Sequence, residues 1–281
     1  MGGGGIDDDA DAVAVRWLSE RRFFAVLGAM KGGTCTLRSH LQTTAWEDNM
    51  SLPWQEPHFF DDDGQYACGA DHYAAWFRWH SRWTPPDIIG DITPSYLYMP
   101  EAVLRLRRLL PHARLVVMLR NPVDRAISHH NHDHGKGREV GRMRDRWEQE
   151  WATCEGRWPP MAPSRQDLFG RGLYAAQLAH VLALFPREQL LIVISERYRS
   201  DTQRELCRIR TFLGLRNCSG MEEELQEHHV NLCYAETLPE SDRALLRDLY
   251  AEDVASLRQL LGDPIPEWRD FAPCGEATAT G

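Results

Sequence analysis

The chain has 281 residues, 32 Lys and Arg against 41 Asp and Glu, a formal net charge of −9 and 43% hydrophobic residues. That length supports one sizeable core. The acidic balance argues against a nucleic-acid ligand and against a long polyanionic acceptor, although local basic patches remain compatible with it. Seven cysteines, dispersed without Cys-x-x-Cys spacing, indicate neither a zinc site nor a full disulfide framework.

The chain opens Met1-Gly2-Gly3-Gly4-Gly5-Ile6-Asp7-Asp8-Asp9, which is glycine-rich and acidic. This is neither a signal peptide nor a membrane span, and Ile6 breaks the myristoylation pattern, so a cytoplasmic protein without membrane partners is expected. Residues 1–11 and 272–281 are expected to be flexible tails around a single domain over 12–271.

The first strong signal is Phe23-Phe24-Ala25-Val26-Leu27-Gly28-Ala29-Met30-Lys31-Gly32-Gly33-Thr34. An apolar run that breaks into glycines and resumes as helix is the strand, loop and helix N-terminus that hold phosphate-like anions. Gly28, Gly32 and Gly33 are free to take positive φ and carry no Cβ, so consecutive N–H groups can converge; Thr34 adds a hydroxyl. Lys31 adds a mobile charge, and only one other lysine, Lys136, occurs in an arginine-rich chain. Lysine precedes the glycine pair, so this is not a Walker A loop; as a bare pattern it also fits a tight strand-to-helix turn.

Further along, Gln55-Glu56-Pro57-His58-Phe59-Phe60-Asp61 places an acid and a histidine in a loop, where each alone reads as a solvated or packing residue. An aromatic stretch at Tyr73 to Trp79 precedes a short strand at Asp87 to Asp91, and a helix is expected from Pro100 to Leu110. His112 to Arg120 reads as a buried strand ending in Arg120-Asn121-Pro122, followed by helix through Ser128. Arg120 then stands at the carboxyl end of a strand, where open α/β sheets bind ligands.

The stretch 129–163 holds His129, His130, His132 and His134 with Trp147, Trp151 and Trp158. With no obvious carboxylate partner it reads as a solvated helical insertion rather than a metal site. Helix from Asp167 to Phe185, strand from Gln189 to Ser195, and helices from Thr202 to Leu213 and Ser241 to Leu261 complete the pattern. Strands alternating with helices imply an α/β fold with a central parallel sheet.

Lys31-Gly32-Gly33-Thr34, the Glu56 to Asp61 segment, Asp91-Ile92-Thr93-Pro94-Ser95-Tyr96 and Leu119-Arg120-Asn121-Pro122 through Ser128 resemble, in order and spacing, the sulfotransferase domains typified by heparan sulfate O- and N-sulfotransferases. The resemblance covers about Phe23 to Gly262 and implies a P-loop-like three-layer sulfotransferase fold. It implies 3′-phosphoadenosine 5′-phosphosulfate (PAPS) as co-substrate without a required metal. The 5′-phosphosulfate would be held by Lys31, Gly32, Gly33, Thr34 and Thr36, and the 3′-phosphate by Arg120 and Ser128. It further implies Glu56 as general base with His58 beside it, His58 orienting Glu56, touching the acceptor or packing under Phe59 and Phe60. The 129–163 insertion and the Trp76 to Trp83 stretch would border the acceptor.

Two positions depart from the family pattern: Ile92 stands where many relatives carry lysine, and Asn231 to Thr237 lacks the usual basic, glycine-containing character. Cys218 and Cys233 fall where some secreted relatives form a disulfide; a reduced pair is expected here. The resulting expectation is a sulfotransferase acting on a hydroxyl of a small molecule or glycan, with bacterial secondary metabolism as a setting. A nucleotide-dependent kinase and a catalytically silent nucleotide-binding module are the alternatives. Acceptor and oligomeric state are not legible.

Overall fold

The computed structural model describes residues 8–78, 84–138, 142–154, 163–164, 167–216 and 239–271. In chain order the elements are α1 (Asp8–Ser19), β1 (Arg22–Gly28), α2 (Thr34–Thr43), β2 (Met50–Ser51), α3 (Asp63–Ala67), α4 (Gly69–Arg78), β3 (Ile88–Ile92), α5 (Pro100–Leu109) and β4 (Arg114–Leu119). There follow α6 (Pro122–Gly135), α7 (Met143–Cys154), α8 (Tyr174–Leu184), β5 (Leu190–Ile194), α9 (Ser195–Ser200), α10 (Thr202–Leu213) and α11 (Glu240–Leu261).

The sheet has the order β2-β3-β1-β4-β5, and every neighbouring pair is parallel. Side chains alternate across a strand, so a strand covered on both faces must be apolar throughout. On one face Ala25, Leu27, Leu115 and Val117 pack with Leu18, Tyr73, Leu106, Leu178 and Leu257 from α1, α4, α5, α8 and α11. Phe24, Val26, Val116 and Met118 on the other face pack with Leu37 and Leu41 of α2 and with Leu206, Ile209 and Leu213 of α10. The result is the expected three-layer α/β fold. Because β3 lies on one side of β1 and β4 on the other, chain direction across the sheet reverses there, and the crevice above β1 and β4 is the natural ligand position.

The structure departs from or extends the sequence reading at four places. α1 begins at Asp8, inside the stretch read as a tail, because Ala14 and Leu18 are buried and the Asp11 carboxylate accepts the Asp71 N–H of α4 at 3.0 Å. β2, only two residues long, carried no periodic signal. The helix expected from Asp167 starts at Tyr174: Glu150 instead takes the backbone N–H groups of Leu168, Phe169 and Gly170, at 2.7–2.9 Å. The helix expected to reach Ser128 runs on to Gly135.

Outer elements are fastened by charge. Arg210 of α10 donates to Asp48 Oδ2 at 2.9 Å, both side chains are almost fully buried, and Asp48 Oδ1 accepts the Arg216 N–H at 2.9 Å. On the free edge of the sheet, Arg187 donates to the Leu190 carbonyl at 2.5 Å and Arg208 to the Ile192 carbonyl at 3.1 Å. Removing one partner of the buried Arg210–Asp48 pair strands the other charge, which costs about 3–5 kcal/mol. Asp48→Ala is therefore expected to lower unfolding free energy by about that amount in a denaturant titration, and Arg210→Ala to do the same.

Candidate active site

The loop after β1 lies directly against the end of β4. Ala29 N–H donates to the Met118 carbonyl at 2.8 Å, and Gly32 N–H to the Ala29 carbonyl at 2.8 Å. The Ser195 hydroxyl, where β5 passes into α9, donates to the Gly32 carbonyl. Of the three glycines, Gly33 alone has positive φ, 96°; the other left-handed residue is Lys31, at 68°. Gly28 and Gly32 are needed for closeness instead: a Cβ on Gly28 would lie 2.8 Å from Leu97 Cβ, and one on Gly32 would lie 2.5 Å from the Met118 carbonyl oxygen. The first bond within α2 runs from Leu37 N–H to the Gly33 carbonyl. Gly33 caps α2 without a side-chain acceptor, so this N-terminus keeps the positive end of the helix dipole. Thr34 is buried behind it, and Thr36 is half-buried one turn into α2.

Two cations converge on this loop. Burial and the Arg120 charge hold the Lys31 ammonium below the usual lysine range, only partly offset by Cys35. Arg120, at the carboxyl end of β4, donates to the Lys31 carbonyl at 3.4 Å, and its own carbonyl accepts from Tyr174 Oη at 2.9 Å. Its Nε is buried and has no hydrogen-bond partner among the described residues. Ser128 lies half-buried about two turns into α6. That helix starts where it does because the Asn121 side chain accepts Val123 N–H at 3.0 Å and Pro122 fills its first turn. Asn121 is braced in turn by Glu196 and Asp270.

Glu56 and His58 lie beyond the carboxyl end of β2. His58 takes a left-handed conformation, φ 51°, which aims its ring between two carboxylates: Nε2 is 3.2 Å from Glu56 Oε2, and Nδ1 is 3.1 Å from Asp61 Oδ2. Of the three roles open to His58, the geometry realises contact with Glu56. Phe59 stacks on Tyr73, with ring centroids 4.4 Å apart. Asp61 is buried and also accepts from the Ser95 hydroxyl. Hydrogen bonds to Asp61 and then to Glu56 raise the His58 pKa to about 9, against the opposing effect of burial. Beneath, Tyr96 Oη takes the Phe59 N–H at 3.1 Å and donates to Asp91 at 2.9 Å. Asp91 also accepts from Tyr73 and Thr93, yet full burial pushes its pKa up to about 6. The Leu97 N–H donates to the Leu27 carbonyl at 2.8 Å, tying this assembly to the end of β1 and so to the Lys31 loop.

The sulfotransferase domain family model matches residues 24–242. The chain belongs to the sulfotransferase family. It is 26% identical to a sulfotransferase from Alicyclobacillus acidocaldarius of solved structure, with a TM-score of 0.68 over 89% of this chain and 99% of that one. It is 28% identical over 245 residues to human heparan sulfate glucosamine 3-O-sulfotransferase 3B1, covering 80% of this chain and 58% of the human one. Identity is 26% over 274 residues to the mouse bifunctional heparan sulfate N-deacetylase/N-sulfotransferase 4, covering 87% of this chain and 31% of that protein. The chain thus spans about half or less of the length of these curated relatives. Sulfotransferase membership sets the kinase alternative aside.

In this sulfotransferase the histidine-rich segment is not the solvated face expected of it. His129 and Asp133 are buried on α6, 3.7 Å apart; Asp133 pairs with Arg138 at 2.8 Å and Arg146 at 3.2 Å, and His134 alone of the four histidines is exposed. Burial, then the nearby Arg125 charge, keeps His129 neutral with a pKa far below the ordinary histidine value. The carboxylate partner was one helical turn away at i+4, a legible spacing. Trp76 and Trp147 pack against the core, as tryptophans at helical spacing commonly do. No described helix is long and apolar enough to cross a membrane. Residues 231–237, Cys218 and Cys233 lie outside the described residues.

The His58 bridge carries a pH signature. Its pKa is raised from 6.5, so its stabilising contribution is complete below pH 6.5 and is lost as pH rises through about 9. A proton NMR titration is expected to show the His58 ring titrating near pH 9, and Asp61→Asn to move that midpoint downward.

Proposed function

We propose that this sulfotransferase moves the sulfuryl group of PAPS to a hydroxyl on a small molecule or glycan, with Glu56 as general base. The observation that carries this is the meeting of the Lys31 loop and Arg120 at the ends of the two central strands, with a buried guanidinium nitrogen that has no partner among the described residues. The residues present fit such an anion. The α2 N-terminus offers amide donors, bare Cα atoms at Gly28 and Gly32 let the loop close up, and Lys31 supplies a compact charge.

When bound, PAPS supplies an activated sulfuryl group and a phosphate leaving group. Lys31, Gly33, Thr34 and Thr36 are assigned to the 5′ side, with Gly32 shaping the loop, and Arg120 and Ser128 to the 3′-phosphate. Lys31, its charge poorly solvated, stabilises negative charge growing on the departing phosphate. Glu56 accepts the proton of the attacking hydroxyl. His58 fixes Glu56 Oε2 and leaves the second oxygen for the acceptor, while Asp61 and Ser95 fix His58. In-line transfer with a loose transition state depends chiefly on this positioning and charge stabilisation, so no metal is assigned a role.

Calorimetric titration with adenosine 3′,5′-bisphosphate in metal-free buffer is expected to show binding that ADP does not match. Loss of a charged hydrogen bond of roughly 1.5–3 kcal/mol should weaken it roughly 10- to 100-fold in Arg120→Ala. Glu56→Gln is expected to bind the nucleotide as wild type does and to lower kcat by about 10²–10⁴-fold. Preference for magnesium-ATP would overturn the donor assignment, unchanged turnover in Glu56→Gln would overturn the base assignment, and nucleotide binding with no sulfuryl transfer by the wild type would favour a silent module.

A further inference from the structure

Two tryptophans are strongly exposed among the described residues, Trp46 at 92% and Trp54 at 76%. Trp46 lies in the turn between α2 and β2, at the amino edge of the parallel sheet. Trp54 lies past the carboxyl end of β2, on the ligand side, two residues before Glu56. Its backbone is firmly held: Leu52 and Pro53 are buried, and the Trp54 carbonyl accepts from Arg38 Nη1 at 3.0 Å. The same guanidinium donates through Nη2 to the Ile92 carbonyl at the end of β3. Arg38 belongs to α2, the helix that begins at the Lys31 loop, so one side chain links the mount of the indole, the end of β3 and the anion-binding helix.

Four carboxylates around this mount face three cations, His58 held between Glu56 and Asp61, and the arginines Arg38 and Arg105. Glu56, Asp61, Asp62 and Asp63 fall within eight residues. Nearby arginines are already engaged, Arg38 with two carbonyls and Arg105 with the Phe60 carbonyl at 3.2 Å and Asp63 at 2.5 Å. Ile92, at the end of the neighbouring strand, is buried and apolar. Such a flank offers a polyanion no cation that is not already engaged, and it exposes a broad, flat indole.

We propose that Trp54 is the acceptor-stacking and specificity-determining residue, and that the acceptor carries a flat apolar ring face and no negative charge. Rings of this kind come from two sources, an aryl alcohol or the apolar face of a pyranose. This assignment rests on the proposed hydroxyl acceptor beside Glu56, but not on the identity of the donor.

The test titrates wild type, W54A and W54F with 2-naphthol and with cellobiose, read by saturation-transfer NMR, both without nucleotide and with adenosine 3′,5′-bisphosphate bound. One of the two probes is expected to bind the wild type, to weaken roughly tenfold in W54A, and to recover in W54F, with nucleotide affinity the same in all three proteins. Which probe behaves this way identifies the source of the ring. Binding unchanged in W54A, or no binding of either probe to wild type, overturns the proposal. So does tighter binding of a sulfated heparan hexasaccharide that ignores Trp54. Failure of the bisphosphate to bind wild type would instead sink the donor assignment, and the Trp54 comparison would still be read in nucleotide-free protein.

Discussion

The bare α-carbon of Gly32 sits against the Met118 carbonyl, so the segment between β1 and α2 can lie directly on the end of β4. The cationic half of the site inherits its place from that contact. It brings Lys31 beside Arg120, turns the α2 N-terminus toward the crevice at the reversal point of the sheet, and lets Ser195, the first residue of α9, secure the loop from behind. A methyl group there would displace backbone rather than a flexible side chain, so the whole cluster of positive groups would move with it.

The opposite half of the site is organised by acids rather than cations. Asp91 and Asp61 are buried but well supplied with hydroxyl or imidazole donors, and together they fix the stretch that carries Glu56 and His58. A ring held between two carboxylates ties all three side chains to one another. The two halves share a link through the Leu97 to Leu27 hydrogen bond, so the Glu56 loop and the Lys31 loop are mounted on the same strand end.

The parallel sheet, the Lys31 loop and the helix after Asn121 were legible because their signals are local: continuous apolar runs, a glycine pair, a proline in a first turn. What escaped reading depends on distant partners. Asp61 and Ser95 draw meaning only from His58, and Glu150 reshapes residues 168–170 from about twenty positions upstream. Positive φ and a missing Cβ are both expected of the loop glycines; at Gly28 and Gly32 only the second applies, since close packing and positive φ leave the same letter in a sequence. His129 misled because a run of polar residues looks solvated until its i+4 acid and surrounding arginines are known.

The arginines along β5 bear on the behaviour of the folded protein in crowded solution. A free strand edge offers unpaired carbonyls that another chain can extend, the usual route to edge-to-edge aggregation. Arg187 and Arg208 occupy the Leu190 and Ile192 carbonyls and place bulky cations over that edge. Along β5, among the described residues, two side chains thus occupy backbone acceptors that strand pairing would otherwise use.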